Sequence, residues 1–128
     1  MYISSVLALV DAIKPNTYDE NIKIQWLSDL DGKIFNEVIL THERDKDEEG
    51  NIIGPSEVPV YETTNDELIV SEPYADIYRN YLFAMIDFSN GESDKYTNSM
   101  IIFNNSYKSF TDYYNRTHLP NQVSLKVF

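Results

Sequence analysis

Residues 72–117 read EPYADIYRNYLFAMIDFSNGESDKYTNSMIIFNNSYKSFTDYYNRT, and this stretch decides the fold. Its second half spaces large apolar side chains by three or four residues, which keeps them on one face of a helix: Tyr96, Met100, Phe103, Tyr107, Phe110 and Tyr114. Its first half has a similar face: Tyr74, Ile77, Tyr78, Tyr81, Leu82, Met85 and Ile86. We interpret both faces as core, since most amphipathic helices bury such a face.

The turn between these two helices lies at Asn90-Gly91. Glycine accepts a positive φ without a Cβ clash, so Gly91 predicts the end of the first helix. Ser93 is then a candidate N-cap for the second. A link this short makes the helices antiparallel, at about 73–89 and 93–117.

Two further helices are predicted upstream, at about 3–14 and 18–41. Pro15 ends the first of them, and Thr17 with Glu20 has the spacing of a capping box for the second. The buried face of the second includes Leu30 or Asp31. Gly32 lies within it, as a site of close packing or as a kink, and we favour close packing. Residues 1–128 thus predict one all-α domain, an antiparallel four-helix bundle.

Two segments fall outside this helical pattern. Residues 43–70 are charged and then broken by Pro and Gly, which predicts a projecting arm, irregular or folded as a loose β-hairpin that turns near Gly50. Residues 119–128 alternate apolar and polar side chains near their end, which predicts an extended tail. We expect interface residues on the arm (Ile52, Ile53, Val58, Val60 and Tyr61) and on the tail (Val123, Leu125, Val127 and Phe128).

The net charge of −11 is unevenly distributed. Residues 43–72 contain ten acidic and two basic side chains, whereas residues 95–128 contain one acidic and four basic ones. This balance argues against a nucleic-acid-binding protein that neutralises phosphates. The acidic stretch is either a solvated surface or one that attracts the basic end of another copy.

Motifs that carry chemistry are few. The two histidines, His42 and His118, fall just past predicted helix ends, where they interact with helix carbonyls or solvent more readily than they act as bases. Residues 45–50 have part of a calcium-loop pattern, but Ser56 stands where the bidentate Glu is needed. No cysteine is present, and no apolar run is long enough to span a membrane. We expect no catalytic, cofactor or metal site, and no enzyme.

Much of the chain resembles a group of tailed-phage and prophage proteins of Gram-positive hosts, the head–tail connectors or adaptors. The resemblance rests on residues outside the arm, in the segments 15–18, 24–34, 41–43, 72–74, 85–92, 96–100 and 113–120. It implies a virion structural protein of the neck, assembled in the host cytoplasm as a ring of about twelve copies below the portal. Such a ring joins the portal to the next neck or tail-completion protein and lines the channel through which DNA passes without specific binding. The alternative is an acidic DNA mimic that inhibits a host DNA-binding enzyme.

Overall fold

The computed structural model describes residues 1–121 and has four α-helices in this range. They are α1 (Ile3–Ile13), α2 (Glu20–Ile34), α3 (Asp76–Ser89) and α4 (Ser93–Thr117). A π-helical turn, Phe35–Ile39, continues α2. Among the described residues, β structure is limited to isolated bridges, so the all-α prediction is confirmed.

Helix α3 lies at the centre of the body and packs against α1, α2 and α4. Its buried face includes Ile77, Tyr78 and Leu82, as the periodicity predicts. Helix α4 contributes fewer buried side chains, namely Phe103, Phe110 and Tyr114. It therefore lies against α3 with most of its length facing outward.

The helix starts differ from the capping predictions. Gly91 has the expected positive φ of 73°. The N-cap of α4, however, is Glu92, and Ser93 is the first helical residue. The predicted capping box at Thr17 is also wrong: Asp19 is the N-cap of α2, and no side chain caps it. Instead Asn16 Oδ1 accepts a hydrogen bond from the Tyr18 N–H, which makes a turn before the helix begins.

Residues 43–70 do not project along their whole length. The first part forms the expected small hairpin, with an antiparallel bridge between Lys46 and Ile52 and a positive φ at Gly50. The last part lies on the body, where Leu68 and Val70 join the hydrophobic core. A fully projecting arm is therefore not confirmed, because Leu68 and Val70 complete the hydrophobic core of their own chain.

The end of the described chain pairs with the residues that follow the π turn. The Glu43 N–H donates to the Leu119 carbonyl (2.8 Å), and the Asn121 N–H donates to the Thr41 carbonyl (2.9 Å). Residues 119–121 thus run antiparallel to residues 41–43. The predicted tail residues Val123, Leu125, Val127 and Phe128 lie outside the described residues.

Gly32 lies inside α2, next to the part of residues 43–70 that follows the hairpin. A Cβ placed on it would lie 3.5 Å from Cγ1 of Val58, an ordinary van der Waals distance. Alanine fits there and removes the entropic cost of a helical glycine, so we expect Gly32→Ala to raise the free energy of unfolding by about 0.5–1 kcal/mol. Gly91→Ala, which forces alanine into a positive φ, should lower it by about 1 kcal/mol. Urea denaturation of both variants tests this pair, and a destabilised Gly32→Ala would contradict it.

Candidate interaction surface

Four of the five predicted arm residues face solvent. Val60 is 76% exposed, and Ile52, Ile53 and Val58 are each about half exposed. Tyr61 is the exception. Its N–H donates to Ser28 Oγ (3.0 Å) and its hydroxyl donates to the Asp31 carboxylate (2.5 Å). Tyr61 therefore anchors residues 61–70, which we call the returning segment, to α2. The exposed aliphatic residues before Tyr61 form the candidate interaction surface.

The fastening depends on Asp31, a fully buried carboxylate on α2. It accepts hydrogen bonds from the hydroxyls of Tyr61 and Tyr78 (2.7 Å) and from the N–H of Ile69 (3.0 Å). The Tyr78 hydroxyl in turn accepts the N–H of Val70 (2.7 Å). One side chain thus satisfies donors from α3 and from both ends of the segment 61–70.

Burial governs the titration of this cluster. Desolvation raises the pKa of Asp31, although its three hydrogen bonds act in the opposite direction. Burial and the nearby Asp31 charge also raise the pKa of Tyr78 and of Tyr61. The two phenols therefore remain donors at every physiological pH, and Asp31 is the one member of the cluster whose ionisation changes in acid.

A pH dependence follows from the raised pKa of Asp31. The folded state binds the proton of the Asp31 carboxyl more tightly than the unfolded chain does. The stabilisation from this proton is therefore complete below the unfolded pKa of 3.8, and it is lost as pH rises through the raised pKa of the folded state. We expect the stability of the wild type, measured relative to Asp31→Asn, to fall as pH rises from about 4. Urea denaturation of both proteins across pH 4–8 tests this, and a difference that grows in the other direction would contradict it.

A cleft of about 470 Å³ opens between the hairpin, the segment that precedes α3 and the C-terminal part of α4. One wall is aromatic: the rings of Tyr74, just before α3, and Tyr113 of α4 are stacked with centroids 4.6 Å apart, and Phe110 lies beside Tyr74. Ile53 and Pro55 form part of the opposite wall. We call this site the aromatic cleft. Its volume lies within the range of about 300–1,000 Å³ that is typical of binding pockets.

Arg44 holds the hairpin wall of the aromatic cleft in place. Its guanidinium lies 5.8 Å from the centroid of the Phe35 ring and donates a hydrogen bond to the carbonyl of Pro55. Arg44 thus links Phe35 of the π turn to Pro55, which follows the hairpin.

Both histidines lie near this end of the molecule. His118 stacks on Tyr114 with ring centroids 3.8 Å apart, and its Nε2 donates to the carboxylate of Asp45 (2.8 Å). His42 bonds the Val38 carbonyl through Nδ1 (2.7 Å), as expected of a residue past a helix end. The contacts of His118 connect Asp45, at the base of the hairpin, to Tyr114 of α4.

Among the ten acidic side chains of residues 43–72, Asp47 and Asp66 accept hydrogen bonds from nearby backbone groups. Asp47 accepts the N–H groups of Glu49 and Asn51, and Asp66 accepts those of Glu62 and Thr63. Within residues 1–121 no group of three or more His, Asp and Glu side chains is arranged to hold a metal ion. Through their hydrogen bonds to backbone N–H groups, the carboxylates of Asp47 and Asp66 stabilise the turns in which they lie.

Comparison with known proteins gave no match to the model of any family, to any curated protein or to any solved structure. None of the four described helices combines the length and the apolar character needed to cross a bilayer.

Proposed function

We propose that this chain is a head–tail connector, a virion structural protein that assembles as a ring below the portal of a tailed phage. In this proposal the ring joins the portal to the next neck protein and surrounds the DNA channel. The helices act as one antiparallel bundle, and the hairpin with residues 52–60 acts as the arm that contacts a neighbour. The sequence resemblance to connectors is the starting point.

The observation that carries the proposal is the contrast within residues 43–70. Leu68 and Val70 complete the core, whereas Ile53 and Val60 remain exposed although they belong to the same segment. The exposed aliphatic side chains of residues 52–60 support the proposal that another protein covers this surface. A subunit with a closed core and an apolar edge is what a ring requires, because each copy must bind a neighbour without unfolding.

Charge supports the proposed place in the particle. Residues 43–72 have a net charge of −8, given by ten acidic and two basic side chains. Like charge keeps DNA phosphates from binding to a channel wall, so DNA can pass without pausing. This part of the proposal fails if these acids lie far from the channel in the assembled particle.

A DNA mimic is the weaker alternative. Mimicry needs carboxylates that stand free on a rigid face at phosphate spacing, because the host enzyme must bind them as it binds DNA. Here Asp45 bonds His118, while Asp47 and Asp66 bond nearby backbone N–H groups. These three carboxylates are committed to such contacts, and the other acids of residues 43–72 lie on a segment broken by Pro and Gly, which is a poor template for phosphate spacing.

Substitution of Val60 by aspartate tests the proposed surface. A charge at this exposed position leaves the core intact but must be desolvated on assembly, so we expect self-association or binding to the portal to weaken at least tenfold. Ile13→Asp is the matched control, since Ile13 is 59% exposed and belongs to α1, outside the arm. Size-exclusion chromatography with light scattering, run with and without the portal protein, measures both variants.

Two outcomes would contradict the proposal. Equal weakening by Ile13→Asp would mean that the arm is not the interface. A strictly monomeric protein that ignores the portal and inhibits a DNA-binding enzyme would favour mimicry instead.

A further inference from the structure

We propose that the aromatic cleft binds a segment of a partner protein in which arginine side chains are flanked by aliphatic ones. This inference deepens the proposed function and rests on it, because Ile53 belongs both to the arm and to the lining of the cleft. It states the chemistry that the arm recognises in its partner, and it excludes nucleic acids and acidic segments as occupants.

The aromatic wall of the cleft suits a guanidinium group. The rings of Tyr74 and Tyr113 are stacked at an interplanar angle of 25°, and both side chains are partly exposed. Phe110 is buried beside Tyr74 and closes this wall from behind. Arginine stacks its planar guanidinium on the faces of aromatic rings, and the attraction grows as water is displaced. The stacked pair therefore favours arginine over a neutral side chain.

Two carboxylates supply the opposite charge. Asp45 and Glu72 both line the cleft, and both are exposed. Asp45 already bonds His118, whereas within residues 1–121 Glu72 belongs to no ion pair. Arg44 also lines the cleft, but its guanidinium lies over the Phe35 ring and donates to a backbone carbonyl. Glu72 is therefore the carboxylate that we assign to the arginine of the partner.

The charge around the cleft selects the class of partner. Residues 43–72 contain ten acidic and two basic side chains, a net charge of −8. Such a surface repels phosphates and acidic peptides and attracts basic ones, which raises the association rate and suppresses wrong partners. The cleft and its surroundings thus have the charge that is complementary to a basic segment.

The opposite wall accounts for the aliphatic residues beside the arginine. Ile53 and Pro55 line this wall, and Ile53 is 55% exposed. An aliphatic side chain of the occupant covers this apolar area while the arginine lies against the aromatic wall. Because Ile53 is part of the arm, and the arm contacts a protein in the proposed function, the occupant is a segment of that protein and not a small cation.

Selection of peptides on the full-length chain tests this inference. A displayed library of random nonapeptides is selected on the wild type, on Glu72→Lys and on Glu49→Lys. Glu49 is exposed in the same acidic stretch but does not line the cleft, so the two substitutions change the net charge equally. The consensus of the peptides that the wild type selects is then synthesised, and fluorescence anisotropy measures its dissociation constant for each protein.

We expect the wild type and Glu49→Lys to select peptides that contain arginine next to aliphatic residues. Glu72→Lys should weaken binding of the consensus peptide by about tenfold or more, and Glu49→Lys by less than about twofold. Citrulline in place of the arginine of the peptide, which removes the charge and keeps the shape, should weaken binding by about tenfold. Ile53→Ser should weaken it by about threefold, whereas Ile52→Ser, which is adjacent, similarly exposed and outside the cleft, should leave it unchanged.

Three results would overturn the inference. The first is selection of peptides without a preference for basic residues, or of no peptide at all. The second is equal weakening by Glu72→Lys and Glu49→Lys, because the long-range charge of residues 43–72 would then explain the binding without the cleft. The third is a synthetic peptide of residues 122–128 that binds more tightly than the consensus, since the occupant would then be a segment of this chain.

Assembly of the same proteins separates this inference from the proposed function. Rings or portal complexes formed by a protein that selects no basic peptide would reject the cleft inference and leave the connector proposal standing. Selection of basic peptides in the cleft of a protein that forms neither rings nor portal complexes would reject the connector proposal and leave the cleft inference standing.

Discussion

Replacement of Asp31 by alanine is expected to lower the free energy of unfolding by about 3–5 kcal/mol. The substitution leaves the hydroxyls of Tyr61 and Tyr78 and the N–H of Ile69 without their acceptor in a buried site. It also removes the link between α2, α3 and the returning segment. The loss therefore exceeds that of an ordinary surface hydrogen bond.

Asp29→Ala is the matched control for this prediction. Asp29 lies on the exposed side of the same helix and accepts a hydrogen bond from Gln25. We expect its removal to change stability by no more than about 0.5 kcal/mol. Urea denaturation followed by circular dichroism measures both variants at neutral pH. A loss below about 1 kcal/mol for Asp31→Ala would show that residues 61–70 are held mainly by Leu68 and Val70.

Removal of residues 122–128 is expected to abolish assembly and to leave the fold intact. The buried hydrophobic side chains of residues 1–121 form one core cluster, and we expect the shortened chain to keep it. If the missing segment binds a neighbour, self-association or binding to the portal should weaken at least a hundredfold, which corresponds to about 2.7 kcal/mol.

Light scattering and circular dichroism test the shortened chain together. A full-length variant with the order of residues 122–128 scrambled is the control for length and composition. Loss of helicity or of cooperative unfolding in the shortened chain would contradict the prediction, because it would mean that the segment belongs to the core of its own subunit. Unchanged assembly would contradict it as well.

The helices could be predicted because the spacing of apolar residues within each segment identifies its buried face. Steps of three and four residues identify the buried faces of α3 and α4, and Gly91 marks the turn between them because its backbone needs a positive φ. The caps could not be predicted equally well. Thr17 and Ser93 have suitable chemistry, but the first turns begin elsewhere, and no side chain caps either helix.

The returning segment could not be predicted from local pattern. Periodicity placed Asp31 at the edge of a buried face, but it cannot show which donors from distant residues meet a buried carboxylate. Tyr61 and Ile69 are 30 and 38 residues away from Asp31 in the chain. The sequence feature that indicates this cluster is a carboxylate on an apolar helix face in a chain rich in tyrosine, whose hydroxyls can donate to it. The aromatic cleft was likewise hidden, since its walls come from segments that only the tertiary fold brings together.

Cryo-electron microscopy of the tailed particle that the proposed function assigns to this chain tests the central claim most directly. We expect a ring directly below the portal whose subunits fit α1 to α4, with Ile53 and Val60 at contacts between proteins and the acids of residues 43–72 near the channel. A neck with no density into which these four helices fit, in particles that lack this protein by mass spectrometry, would contradict the claim.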